Sequence, residues 1–521
     1  MGQSKIVSEL YLRLPLSLLS RLIPQQPALE HASSTPRRSH IATPEPSSAL
    51  MASSSAAFAR VTARGTPLTA PRARSLRRSR APLTVAPRAA VVAPAVSWPD
   101  GTGRAEDGAI VAEASVVNLG KRGEIATGLP FLDHMIDQLT SHCQLGVSVV
   151  VTKDGTPCVP CVDTSGDDDE AVAVAAGSAL GAALAQMLAP GIEAVAIGSE
   201  AASATFASPL DEAYSTCVLS LTDAGSLAFS LAPYGPGAGR THIGKYQTKL
   251  TEPFWRAVVE ASGLSVSLTK ERGDNAHHIV EATFKSFARC LRKCMDQVEG
   301  IDVAASDERL EGVTRAAGKA RSTKETTIDV KLDLDGAAEK SSVSTGIQTL
   351  DELLRSIAHE GGVQLNVDAT GDLWIDDHHT TEDVAITVGQ VLNESLGDKA
   401  GCNRMGRAAA GVLDGVDSDS ADAAMVEVVM DISNRPFLAN GLVFRDEFIG
   451  DLSAEMVDHL FMSIAANGQM TVHVVEHRKG KSDADLAAAS ARAFGRCLRQ
   501  CIAVDPRRAG QVASSKGTLS V

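Results

Sequence analysis

Two stretches pair adjacent histidines with a glutamate one helical turn further on: His277-His278-Ile279-Val280-Glu281 and His378-His379-Thr380-Thr381-Glu382. On a helix, positions i and i+4 share a face, so His277 with Glu281, and His378 with Glu382, each offer a nitrogen and an oxygen to one ion. Neighbouring histidines point to different sides, so each motif can serve two metals. A solvated helix start explains one such motif; two in one chain favour metal binding.

These motifs sit in a repeated body. Phe287-Ala288-Arg289-Cys290-Leu291-Arg292 returns as Phe494-Gly495-Arg496-Cys497-Leu498-Arg499, 207 residues on, and Thr127-Gly128 with Leu132-Asp133 returns as Thr345-Gly346 with Leu350-Asp351. The chain therefore holds two copies of a unit of roughly 200 residues, expected over 104–300 and 321–521 with a linker at 301–320. Within each copy the periods are mixed. Thr326–Leu334 alternates apolar and polar residues as a half-buried strand does, whereas Phe284, Phe287, Ala288, Leu291 and Met295 recur at helical spacing. Strands interleaved with long helices predict an α+β sandwich, sheet on one side and helices on the other.

Charge divides the chain as sharply as the repeat does. Residues 1–99 carry thirteen Lys and Arg against Glu9, Glu30 and Glu45, so a net charge of −14 over 521 residues leaves −24 on the remainder. A body this acidic, with only 4% aromatic residues, argues against a nucleic-acid binder. The basic segment lacks Asp, is rich in Ser, Ala, Arg and Pro, and reads as an organelle transit peptide over 1–98, removed near residue 95. Met51-Ala52-Ser53-Ser54-Ser55 is a second candidate start, and a basic arm for an acidic partner is the alternative. Ala171–Ile192 is uncharged enough to suggest a membrane span, yet its Ala, Gly, Gln186 and Pro190 favour a buried helix. Nine cysteines form no regular framework, and Cys158 with Cys161 reads as incidental thiols rather than a redox or metal pair.

Taken together, the motifs resemble the imidazoleglycerol-phosphate dehydratases. The resemblance rests on Phe131-Leu132-Asp133-His134-Met135, Asp376–Asp383, Pro209–Ala213, Asn275–Lys285 and Ser514–Gly517, and it spans residues 104–521. It implies that each copy is itself a pseudo-duplicated sheet-plus-helices sandwich, like the second domain of ribosomal protein S5. It also implies a metal set of His134, His277, His278, Glu281, His378, His379, Glu382 and His459, two Mn²⁺ per site, and a 24-subunit shell as the model for a large homo-oligomer. Zn²⁺ and Fe²⁺ suit the same donors. Substrate contacts map to Gln138, Arg404, Arg435, Ser514, Ser515 and Lys516. Catalysis maps to Glu325, as the proton-transfer group, with His378, His379, Asp211, Glu212 and Lys285. The implied reaction is loss of water from imidazoleglycerol phosphate to give imidazoleacetol phosphate, in histidine biosynthesis in the plastid stroma, with no membrane or nucleic acid involved.

Neither copy matches that pattern in full. The first keeps His134, His277, His278 and Glu281 but has Gly166, Asp167 and Pro253 where the second has His378, His379 and His459. In the second, Glu352, Ala484, Asp485 and Ala488 replace the first copy's four ligands. Arg404 and Arg435 have no first-copy equivalents, because residues 154–239 contain no Lys or Arg. The losses are complementary, so the two copies together carry one complete set, as expected if sites form across contacts between copies and one of two has decayed. An inactive metal-binding scaffold and a metal-dependent hydrolase are the competing readings. Retention of Glu325, Arg435 and Lys516 speaks against the first, and Ser514–Gly517 against the second.

Overall fold

The computed structural model describes residues 96–158, 168–197, 202–222, 224–303, 308–310, 312–508 and 510–519. Most of the basic leader, Cys161, and the decayed positions Gly166 and Asp167 lie outside them. Four sheets are built in one way. The first has β1 (Gly101–Asp107), β2 (Ile110–Asn118), β3 (Ile125–Ala126), helix α1 (Pro130–Cys143), β4 (Leu145–Lys153) and helix α2 (Asp169–Ile197). Its strand order is β1-β2-β4-β3, with β3 and β4 parallel across the α1 crossover. The second unit repeats this with β5 (Ser203–Leu210), β6 (Ala213–Ser220), β7 (Ser226–Ser230), α3 (Thr251–Ser262), β8 (Ser265–Arg272) and α4 (Ala276–Glu299).

In the second copy the third unit holds β9 (Ala316–Ser322), β10 (Thr326–Asp333), β11 (Ser342–Ser344), α5 (Gln348–Gly361), β12 (Gln364–Gly371) and α6 (His378–Leu396). The fourth holds β13 (Met405–Leu413), β14 (Ala424–Asp431), β15 (Phe437–Asn440), α7 (Glu455–Asn467), β16 (Thr471–Arg478) and α8 (Asp483–Ile502). All four share the order first-second-fourth-third, with the last two strands parallel. The duplication within each copy is therefore real, and the alternation read over Thr326–Leu334 is the half-buried strand β10.

The copy limits shift slightly from expectation. Val96 and Trp98 pack into the first core, so a leader ending at residue 98 would cut into folded protein. β1 begins at Gly101 rather than 104, and β9 begins at Ala316, inside the stretch expected to be linker. Both strands are edge strands whose alternation is broken by Gly and charged residues, which hides them in the sequence.

Within a copy, the helices of its two units face each other between the sheets, α2 on α3 and α6 on α7. α2 is long and apolar enough to cross a bilayer, yet most of it is buried. Gly177 and Gly181 explain the close approach, since a Cβ at either would come within 2.5 Å of the Phe254 or Val258 carbonyl oxygen on α3. Between copies, sheet packs on sheet. Ala207 and Tyr214 of β5 and β6 meet Val429 and Val475 of β14 and β16, so β5 and β14 are buried on both faces.

Polar groups cross the same junction. Gln144 donates to Asp505, Arg507 pairs with Asp296 at 2.6 Å, and Arg508 donates to the Ser141 carbonyl. His473 on β16 is fully buried, and its Nε2 donates to the Asp211 carbonyl at 2.9 Å. Burial pushes its pKa down from 6.5 to about 4 against the opposing pull of that hydrogen bond. The unfolded chain thus takes up this proton first. The contribution is whole above about pH 6.5 and is lost as pH falls toward 4, amounting to at most about 3 kcal/mol. Urea midpoints should therefore fall more steeply between pH 6.5 and 4 in the native protein than in His473→Gln; parallel curves would remove His473 as a cause of acid lability.

Candidate functional site

Each His-His-x-x-Glu motif opens a helix, as its spacing predicts. Asn275 caps α4, its side chain accepting from the His277 amide at 3.0 Å, and Asp376, one residue before the N-cap position of α6, accepts from the His378 amide at 3.1 Å. These caps put each histidine pair in the first turn and the glutamate one turn on.

The first copy assembles His134 from α1 with His277 and Glu281 from α4, their ligand atoms all within 4.8 Å. His277 Nε2 is 3.0 Å and His134 Nε2 3.7 Å from Glu281 Oε2, while Lys285 donates to Oε1 at 2.7 Å. Burial pushes the Glu281 carboxyl up, but Lys285 and the two histidines outweigh it and hold the group well below the carboxylate range. Glu281 is therefore a fixed anion. The second copy assembles His378 and Glu382 from α6 with His459 from α7, again within 4.8 Å, the rings of His378 and His459 lying 4.9 Å apart.

One histidine of each motif stands outside its triad, held by a carboxylate. His278 donates Nδ1–H to Glu212 at 2.8 Å, and His379 donates Nδ1–H to Asp372 at 3.1 Å. In each case Nε2 keeps its lone pair for a metal, the arrangement by which carboxylates orient histidine ligands. Glu212 is held there by a two-residue turn between β5 and β6, in which Asp211 takes a left-handed φ of +50° and Glu212 also accepts from the Asn275 amide. Two imidazoles and a carboxylate per triad, plus an oriented imidazole beside each, are a donor set for first-row divalent ions rather than Ca²⁺ or Mg²⁺.

The two triads do not meet within one chain. Among the described residues no hydrogen bond, ion pair or ring contact joins them, and no ligand group mixes them. The complete set expected from the complementary losses is thus not gathered into one ligand group among the described residues of a single chain. Each triad is pinned inside its own copy, by α1 against α4 or by α6 against α7.

The second copy instead brings other groups to the first triad. Arg435, in the turn after β14, donates Nε–H to Asp211 at 2.7 Å, and Asp211 Oδ2 lies 3.9 Å from His278. Gln138, fully buried on α1, donates to the His134 carbonyl, and its Oε1 has no partner among the described residues. Ser514, Ser515 and Lys516 lie in the closing segment, tied down by Arg122 on the Ser515 carbonyl and Asn434 on the Leu519 carbonyl. Glu325, in the turn between β9 and β10, lies in the second copy, where its charge acts on His379.

Arg404 differs from expectation. At 3% exposure it makes a two-pronged pair with Asp431, both contacts 2.8 Å, and donates to the Ala513 carbonyl at 2.5 Å. Its guanidinium anchors the closing segment, rather than projecting toward a ligand. Sequence reasoning also passed over His142, which is fully buried with both ring nitrogens unpartnered among the described residues. Burial, then the charges of Arg404, Lys285, Arg289 and Arg508, hold it neutral. A signal was available: His134, Gln138 and His142 recur every fourth residue, one polar stripe along α1.

At the decayed counterpart in the second copy, side chains that replace ligands hold backbone instead. Asp485, at the position of His278, accepts from the Asp414 and Gly415 amides, and Arg492, at that of Lys285, donates to Asp417 and the Gly415 carbonyl. The turn between β13 and β14 is thereby tied to α8 beside the place a triad would occupy.

The imidazoleglycerol-phosphate dehydratase family model matches twice, over residues 127–291 and 345–498. An imidazoleglycerol-phosphate dehydratase of Gloeobacter violaceus is 41% identical over 205 residues, 39% of this chain and 98% of its own length. The chloroplastic imidazoleglycerol-phosphate dehydratase 1 of Arabidopsis thaliana is 36% identical over 244 residues, 46% of this chain and 86% of its own. The crystal structure of the Staphylococcus aureus dehydratase aligns with 28% identity and a TM-score of 0.31, over 36% of this chain and 99% of its own. With the family's domain present twice and whole relatives matched by less than half its length, the chain belongs to the imidazoleglycerol-phosphate dehydratase family of hydro-lyases.

Proposed function

We propose that the chain eliminates water from imidazoleglycerol phosphate, giving imidazoleacetol phosphate, at sites shared between chains, each joining the first triad of one chain to the second triad of another. The observation that carries this reading is the pair of incomplete triads, each flanked by a carboxylate-oriented histidine that its own triad does not use. His379 would complete the triad of His134, His277 and Glu281, and His278 that of His378, Glu382 and His459. Two Mn²⁺ ions, when bound, supply Lewis acidity without redox change.

The remaining roles follow from position. Arg435, Lys285 and the segment Ser514–Lys516 would take the phosphate. Burial and the neighbouring Arg404 charge leave Lys285 poorly solvated, and a dianion would relieve that surplus of positive charge. His142 and Gln138, buried with free hydrogen-bonding atoms, suit the same oxygens. Glu325, whose charge acts on His379, would move the proton. The lone Arg404 among the expected substrate contacts acts through the segment it anchors. Twelve chains would fill the 24 positions of the family shell, and the name of the Arabidopsis relative, with the Ser- and Arg-rich leader, supports a plastid location.

Turnover of imidazoleglycerol phosphate by the purified chain with and without Mn²⁺ tests the reading, and metal-dependent product is expected. Arg435→Ala should raise KM by the equivalent of about 2–5 kcal/mol, the usual cost of truncating a buried charge partner, at unchanged metal content. Loss of metal with unchanged KM would remove Arg435 from the phosphate.

A further inference from the structure

The loop before the second motif is exposed in a way its own chain does not explain. Leu373, Trp374 and Ile375 are 38%, 84% and 61% exposed, three consecutive apolar residues between β12 and α6. The other two tryptophans, Trp98 and Trp255, are 9% and 1% exposed. A contiguous apolar patch next to a ligand group marks a contact surface. Its own segment is acidic: Asp376, two residues on from Trp374, is exposed, and no Lys or Arg occurs from residue 356 to 398, Arg321 reaching Asp383 from β9.

A complementary surface rims the first triad. Tyr246 packs on Phe131 at 4.9 Å, and Phe131 meets the His277 ring edge-on at 5.1 Å, so the hairpin of His242–Ile243 and Tyr246–Gln247 borders that triad. From Arg240 to Thr251 this segment carries Arg240, Lys245 and Lys249 and no acid, and Arg240 and Lys249 are exposed.

We propose that Leu373-Trp374-Ile375 is a docking element that seats against the basic rim at residues 233–249 of a second copy of this chain. The inference rests on the shared-site reading above and names the surface that would make it. Trp374 supplies the buried apolar anchor and the flanking acids its orientation, so the contact that hides the tryptophan also carries His379 and Glu325 toward the other chain's triad.

Trp374 reports on this directly. Tryptophan fluorescence of the full chain is followed with iodide as quencher, across dilutions whose particle mass is measured in parallel. Iodide should quench strongly in single chains and weakly in assemblies, and Trp374→Phe should abolish the difference. Trp374→Ser and Arg240→Glu should each weaken assembly roughly tenfold or more, as loss of an interface anchor does. A Trp374 still open to iodide in particles heavier than one chain, or already shielded in single chains, overturns the proposal. Turnover separates the two readings: an active assembly with Trp374 exposed sinks the docking element alone, whereas shielded Trp374 in an assembly that never dehydrates the substrate sinks the shared-site reading alone.

Discussion

Glu281→Gln is expected to reduce turnover below detection and to destabilise the fold as well, whereas Glu382→Gln removes turnover with little cost in stability. The difference lies in what each carboxylate holds. Glu281 is buried, touches both histidines of its triad, and is the counter-ion of Lys285, itself 4% exposed. An amide there leaves a buried cation unpaired, a loss of about 3–5 kcal/mol in unfolding free energy. Both variants should bind fewer metal ions per chain. Glu352, which takes the place of His134, bonds only Gln348 among the described residues, and Glu352→Ala should stay within about 0.5 kcal/mol of wild type and keep full activity. Metal analysis, kcat and urea titration of the three variants check this. A strong loss of activity in Glu352→Ala with the fold intact would show that the decayed position still works.

A larger effect is expected from mixing two dead proteins. If sites join the first triad of one chain to the second of another, Glu281→Gln and Glu382→Gln chains are each inactive alone, yet co-assembled at equal amounts they regain activity. A site then needs an intact first triad, present in half the chains, and an intact second triad, present in the other half; random pairing restores about a quarter of the native rate. Sites confined to single chains restore nothing, because no chain holds both triads whole. Co-expression with two different tags, purification of doubly tagged assemblies and a turnover assay decide between a quarter and zero.

Much of this site was legible because its chemistry is local. His277 with Glu281 and His378 with Glu382 lie one helical turn apart, so spacing alone paired them correctly, and the 207-residue recurrence of the Phe-x-Arg-Cys-Leu-Arg helix marked the two copies. The unit repeat within a copy left no such trace. Its four sheets share strand order and a parallel final pair, which hydrogen bonding and crossover geometry impose on very different side chains, and only the family resemblance predicted it. Asp372 and Asp431 were invisible for another reason: their partners His379 and Arg404 are separated from them by seven and 27 residues, contacts set by packing rather than by period. The same limit left open how the two triads come together. Complementary loss reveals that two halves need each other, but it carries no information on whether the halves share a backbone.

The hairpin tied down beside the decayed position makes its loss hard to reverse. Asp485→His would restore one ligand type, but it would first strip the Asp414 and Gly415 amides of a charged acceptor, and hydrogen bonds of that kind contribute about 1.5–3 kcal/mol each. Arg492→Lys would likewise weaken the fork that joins Asp417 and the Gly415 carbonyl, leaving Asp417 to Arg496. Each step back toward a second working site thus lowers stability before any metal can bind, since Glu352, Ala484 and Ala488 must change as well. What began as the erosion of a redundant centre has become a one-way ratchet, with natural selection for a stable fold now guarding the division of labour between the copies.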